Sequence, residues 1–474
     1  MSYLQALLVA DARRLGRAQR SASVRHRHLT ERPLAILPWQ LGAEPFTAAA
    51  IAWGFEPGTP KLVVPGEPRD RELAFRALTI VAKDFNRWFE GRGRDEVPQV
   101  VVPNRGALAL LGRLGRRLAY LPTTGDHPAD PELVLFGRHL RFLFDRSRFP
   151  GQQLVVVLTD LLSSHWVSEL SDLETQSLPA LAASIEPPRG MTAHEAAFAA
   201  EGLQIGPMPS ADDDTAVDEL MSVFNERRAR RTEEAVVAEL RKPIEEHYER
   251  LVSRGWDLIW QCLDRERRYP EALHVERRWA LDEEALDRHI EWVVLRRLPY
   301  RTRQTNAQAA RTLHQWEDAQ RLLEAEEAID DPLRMIPTLL ANRGIAGVVR
   351  RVDLENYEQG LKSRLRRPIL EIQTAEQCMV PVGKHLWWTR TPDKREYTVT
   401  GIRHLKGGKS VVTLQLETGS AQEVPEPGTI VVLSEHNTRR GHHLELPPHA
   451  PWTHVEAETA PAPLDGAIDE GRWE

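Results

Sequence analysis

Apolar positions fall into three regimes along the chain. From Arg32 to about Asp160, compact apolar runs bounded by Pro or Gly alternate with stretches of helical spacing. PLAILP (33–38), KLVVP (61–65), QVVVP (99–103) and QLVVVLTD (153–160) read as strands buried on both faces. Between them, 46–53, 70–89 and 106–118 read as helical, the second with Leu73, Ala77, Ile80, Val81 and Trp88 near the helical period. This alternation predicts an open α/β domain with a largely parallel sheet.

After Asp160 the strand signal fades. Residues 171–201 read as helices around a break at Pro187, Pro188 and Gly190, and IGPMPSADDD (205–214) ends in good N-cap residues and marks a boundary. Helices are then predicted at 215–240, 243–265 with Pro243 in the first turn, 282–297, 302–328 and 332–342. From Gly344 the period becomes two, with strands predicted at 345–353, 367–374, 385–390, 396–405, 410–417 and 429–435. Six short strands suit a small SH3-like or OB-like barrel, because closure removes vulnerable edges. The expected fold is therefore multidomain α+β. It comprises a basic N-terminal helix or arm (1–31), an α/β domain with a helical extension (32–204), a helical domain (205–343), a small β-barrel (344–437) and an acidic disordered tail (438–474).

Composition narrows the class. With 41% hydrophobic and 28% charged residues over 474 positions, the chain sits in the globular range, and no apolar run is long enough to cross a membrane. Cys262 and Cys378 are far apart and form neither a disulfide framework nor a CxxC motif. The opening residues place an acid and apolar residues ahead of the arginines, the reverse of an export signal, so a cytoplasmic protein without cofactor or metal is expected. The net charge is −7, but residues 456–474 hold six acids against Arg472, so bulk charge says nothing about a polyanionic partner and only local clustering can.

Catalytic signatures are incomplete. LKGGKSVV (405–412) contains a GKS triplet, yet Arg403 stands where a phosphate-binding loop needs its first Gly, and strand-formers follow. Asp160 ends a buried apolar run and is the weak catalytic candidate. At the carboxyl ends of the strands, where Gln40, Glu67 and Asn104 also lie, it would coordinate a divalent metal while Asn104, Arg105 and Gln40 orient a substrate, although helix capping explains it equally well. Asn104 and Arg105 open NRGALALLGRLGRR (104–117) and could present an amide and a guanidinium to an anion. His194 and Glu201 share a helix face, Glu371 is an isolated carboxylate, and His442, His443, His449 and His454 lack ligand spacing.

The densest local signal lies in the predicted barrel. Lys384, Arg390, Lys394, Arg395, Arg403, Lys406 and Lys409 stand against Asp393 and Glu396 alone, interleaved with Trp387, Trp388 and Tyr397. Cations neutralise phosphates and aromatic faces stack on unpaired bases, so these ten residues form a candidate nucleic-acid surface. In HLWWTR a regular strand turns only one of the two tryptophans outward. Further basic zones lie at 13–28, with six arginines, and at 361–368. Trp256 and Trp260, at i and i+4, read as core.

The expectation is a non-catalytic nucleic-acid-binding adaptor or accessory subunit that works beside a partner such as a separate helicase or nuclease. The alternatives are an α/β metal-dependent phosphohydrolase or nuclease-like enzyme built on Asp160, and a protein-protein scaffold.

Overall fold

The computed structural model describes residues 3–42, 44–91, 97–229, 234–295, 305–359, 364–419, 423–439 and 441. In chain order its first part contains α1 (Tyr3–Leu15), β1 (Gln19–Arg20), β2 (Leu34–Leu41), β3 (Glu44–Gly54), β4 (Lys61–Val63), α2 (Arg71–Phe89), β5 (Val100–Val102), α3 (Arg105–Leu118), α4 (Pro131–Arg146), β6 (Val155–Val157), α5 (Leu158–His165) and β7 (Trp166–Val167). There follow α6 (Leu178–Ile185), α7 (Ala193–Glu201), α8 (Ala211–Arg228), α9 (Glu234–Arg267), α10 (Val275–Ile290), α11 (Asn306–Asp330) and α12 (Pro332–Leu340). The last part holds β8 (Gly344–Asp353), β9 (Tyr357–Gln359), β10 (Arg364–Arg366), β11 (Ile369–Thr374), β12 (His385–Trp388), β13 (Glu396–His404), β14 (Ser410–Thr418) and β15 (Ile430–Ser434).

The first sheet has the order β4-β3-β2-β5-β6, with β2, β5 and β6 parallel and β3 and β4 antiparallel. Residues 46–53, expected as helix, belong to β3. Their alanines have high helix propensity, but pairing with β2 and burial override a weak local preference. Trp39 faces Ala50 and Gln40 faces Ala48, so Ala49 is an extra residue that bulges the strand. The run 153–160 is strand only at Val155–Val157; α5 begins at Leu158 and takes Asp160 into its first turn.

Helices cover both sheet faces. Leu34 and Ile36 of β2 share a core with Phe85 of α2, Leu111 of α3 and Phe136 of α4. Ala35, Leu37 and Trp39, alternating with them, share one with Leu162 of α5, Leu181 of α6, and Tyr248 and Trp256 of α9. Helices α8 and α9 therefore close the sheet's second face, while Leu286 of α10 joins the core of the first. Pro243, expected to open a helix, lies inside the 34 residues of α9. A missing N–H costs one backbone bond, but the buried stripe Ile244, Tyr248, Leu251, Trp256, Ile259 and Leu263 holds the helix onto the sheet through it.

The last part is a closed six-stranded barrel of antiparallel pairs in the order β11-β14-β13-β12-β15-β8. Its core, including Leu370, Ile372, Leu386, Tyr397, Val412 and Leu433, is a separate cluster. The sequence pattern missed β9 and β10, two paired strands that are exposed throughout. Their residues bury no face, so no alternating apolar positions announce them. Among the described residues no helix is long and apolar enough to cross a membrane, and both cysteines are free and buried.

One buried polar chain ties α2, α4 and α10 together. His139 Nδ1 lies 2.9 Å from His289 Nε2, and His139 Nε2 lies 2.7 Å from Glu90 Oε1. The Glu90 carboxylate accepts, so His139 donates from Nε2 and accepts from His289 at Nδ1. Burial pushes His139 down to about 3 and His289 well below its ordinary value. The unfolded chain therefore binds protons below about pH 6.5 that the folded chain refuses, and stability falls as pH drops from there toward 3. Glu90, raised by burial, acts in the opposite sense over the narrower range just above its ordinary value. Denaturant melts should show a loss of about 2 kcal/mol from His139 between pH 6.5 and 5, and His139→Gln should flatten that slope. A slope identical in the variant would exclude His139 as its source.

Candidate functional site

At the carboxyl ends of the parallel strands the chain fills its own crevice. Asn104 is the N-cap of α3, its Oδ1 accepting from the Ala107 N–H at 2.9 Å. Its Nδ2 donates to the carbonyls of Ile205 at 3.1 Å and Gly206 at 2.8 Å. Gln40 accepts from Arg113 Nη2 at 3.0 Å, and its backbone N–H donates to the Pro207 carbonyl at 2.8 Å. A Cβ on Gly206 would stand 2.6 Å from the Pro38 carbonyl oxygen, so only glycine lets the segment seat this deeply. Glu67 is buried and accepts from the Arg69 N–H at 2.9 Å and from Asn225 Nδ2 at 2.5 Å.

Gln40, Asn104 and Arg105, expected to orient a substrate, thus do not converge on one cavity: Asn104 lines one and Arg105 another. The Asn104 amide is spent on a cap and a clamp. Arg105 Nε binds both carboxylate oxygens of Asp160, at 2.8 and 3.0 Å. Asp160 is neither a side-chain cap nor a free carboxylate at a strand end; it is a first-turn acid, favourably placed at the helix N-terminus and paired with a guanidinium. Among the described residues no group of three or more His, Cys, Asp or Glu side chains could hold a metal. His194 and Glu201 on α7 line a cavity of about 260 Å³ that borders the same clamp, since Asn104, Ile205 and Gly206 also line it. The histidines at 442, 443, 449 and 454, and almost all of the acidic tail, lie outside the described residues.

The barrel divides the ten candidate residues. Trp388 and Tyr397 point inward, at 8% and 0% exposure, and belong to the barrel core, so neither can stack on a base. Arg395 is buried at 2% exposure, paired with Glu423 and bound through Nη1 to Thr391 Oγ1 at 2.9 Å. Lys384 is neutralised by Glu435 at 2.8 Å. These four leave the candidate surface because strand alternation turns the two aromatics inside and acids from the segments before and after β15 meet the two cations. Trp387 is half-buried and is the one aromatic of the three outside the core.

Arg390, Lys394, Arg403, Lys406 and Lys409 are exposed and form no ion pair among the described residues. They do not converge. Arg390 and Lys394 sit in the β12–β13 connection, whereas Arg403, Lys406 and Lys409 sit at the β13–β14 connection, separated by the nine residues of β13, or roughly 30 Å. The second group is the tighter. Gly407 and Gly408 both adopt positive φ, 83° and 76°, and a Cβ on either would meet nothing within 4 Å. They turn the chain sharply at an open tip and bring two lysines and an arginine within seven residues, with no acid among them. The exposed strand pair β9–β10 carries Arg364, whose guanidinium lies 5.0 Å from the Tyr357 ring. Arg366 and Arg367 pair with Glu355 and Glu358.

The N-terminal basic zone is largely neutralised as well. Arg14 meets Asp11, Arg20 meets Glu266 and Arg25 meets Glu271, at 2.8 to 3.0 Å. Arg27 has no such partner among the described residues. It lines a cavity of about 380 Å³ with Arg105, Arg148 and Asp160; sequence reasoning singled out Arg105 and Asp160 but could not bring Arg27 and Arg148 to them, because these come from distant segments.

Fold and sites together define a helix-covered mixed α/β sheet joined through α12 to a separately cored β-barrel. Compared with protein-family models, curated proteins and solved structures, the chain matches none.

Proposed function

We propose that this protein is a non-catalytic nucleic-acid-binding adaptor of a nucleic-acid-processing assembly, and that its barrel meets the phosphate backbone through the β13–β14 hairpin. The observation that carries this reading is the glycine-turned tip with Arg403, Lys406 and Lys409, three exposed cations without a carboxylate partner among the described residues. Such a tip follows phosphates by charge and releases counterions, with little dependence on base sequence. Trp387 is the remaining candidate for stacking, so affinity rests on charge more than on aromatic platforms. Against chemistry at the sheet stand the neutralised Asp160 and the crevice occupied by Ile205–Met208.

The test is the salt dependence of binding to a labelled single-stranded oligonucleotide. With Arg403, Lys406 and Lys409 all replaced by Gln, affinity at about 50 mM salt should fall tenfold or more, and the slope of log K against log salt should lose about 2. No binding by the parent at low salt, or an unchanged slope in the variant, would sink the reading.

A further inference from the structure

We propose that the cavity between the Arg27 arm, the end of α4 and the start of α5 is an anion site that takes a phosphate monoester. This goes beyond the barrel reading and does not rest on it. The cavity measures about 380 Å³, the size of a small-molecule site, and three arginines face one carboxylate across it. Arg105 and Asp160 satisfy each other at 2.8 Å, so the charge left over belongs to Arg27 and Arg148. Neither forms an ion pair among the described residues.

Their settings differ in a useful way. Arg27 gives one N–H to the Gln152 carbonyl, and burial pushes its guanidinium pKa down, although an arginine keeps its proton. The acids that act on it do so from beyond ion-pair reach: Glu327, Asp282, which is already held by Arg146 at 2.6 Å, and Asp160. Arg27 is half-buried with no carboxylate in ion-pair reach among the described residues, a setting that favours an anion joining it. Arg148 is exposed, with its guanidinium 4.5 Å from the Phe144 ring, which holds it at the cavity mouth.

The rest of the lining fits the same ligand. Gln152 spends its amide on the N–H and C=O of Val155, closing the free edge of β6 and leaving the arginines as the donors. Helix α5 starts with no side-chain cap, so its first turn adds a positive field. Guanidinium forks match phosphate oxygens, and Leu108, Phe144 and Leu161 supply apolar wall for the carbon part of an ester.

Calorimetric titration of the full chain with inorganic phosphate tests the site directly, followed by the same oligonucleotide with a 5′-phosphate or a 5′-hydroxyl. Phosphate should bind the parent, and Arg148→Ala, which removes no structural contact beyond the Phe144 ring, should weaken it tenfold or more. Asp160→Asn, deleting the one carboxylate and freeing Arg105, should tighten it severalfold. A gain from the 5′-phosphate that vanishes in Arg148→Ala identifies a nucleic-acid end as the source, whereas binding of inorganic phosphate without that gain identifies a free small molecule. Phosphate binding should persist when the three barrel cations are replaced, so the two proposals fail separately. No phosphate binding by the folded parent at about 20 mM, or equal binding by Arg148→Ala, would overturn the assignment.

Discussion

Trp256→Ala should destabilise the sheet-and-helix body by about 3–5 kcal/mol while leaving the melting of the barrel in place. The indole is fully buried, its Nε1 donates to the Glu56 carbonyl at 3.1 Å, and it meets Trp260 edge-on at 6.1 Å. A Cβ on Gly54 of β3 would stand 3.1 Å from the ring, so sheet and α9 are fitted to each other at this point. Truncation opens a cavity in a core shared by β2, β3, α5, α6 and α9, and those elements should lose stability as one unit. The barrel has a core of its own and should keep its transition. Calorimetry with two resolved transitions checks both halves. A cost below about 1 kcal/mol, or an equal shift of both transitions, would contradict the shared core.

Glu266→Ala is expected to cost a similar amount, for an electrostatic reason. The Glu266 carboxylate is fully buried on α9 and meets Arg20 Nη1 at 3.0 and 3.1 Å, Trp166 Nε1 at 2.7 Å and His165 Nδ1 at 2.8 Å. Burial pushes this carboxyl up, but His165, Arg20 and Trp166 together hold it below its ordinary value. Its contribution is therefore present above the usual carboxylate range and is lost as pH falls through the depressed folded value. Removal leaves the Arg20 guanidinium, which lies 3.6 Å from the Tyr269 ring, charged and uncompensated in a nearly closed site. Breaking one half of a buried pair costs about 3–5 kcal/mol. Arg20→Met in the Glu266→Ala background should recover part of that loss, and a double-mutant cycle in denaturant measures the coupling. Strict additivity would show that the two side chains act independently.

The strands of the first sheet other than β3, and those of the barrel, were legible because their side chains alternate or are apolar throughout. KLVVP, QVVVP and HLWW needed no tertiary information to be read as strand. Helices α2 and α3 were legible from their apolar spacing, whereas that Asn104 caps α3 rather than facing an anion was seen only in the structure. The alanine run in β3 and the proline inside α9 were not, because a partner strand and a buried stripe outweighed local preference in each. The candidate sites suffered more. Arg395 and Lys384 carry the composition of a binding surface, but Glu423 and Glu435, distant in sequence, neutralise them.

What the residues alone determined was periodicity, hence the succession of an α/β region, a helical region and a barrel, together with the stretches where cations gather. Which cations stay unpaired, which of two adjacent tryptophans faces inward, and that Arg27, Arg105 and Arg148 come to line one cavity were decided only by tertiary packing. The reason is physical. Periodicity is a local property of the backbone, whereas charge pairing and burial depend on which distant segments are brought within a few ångströms of each other.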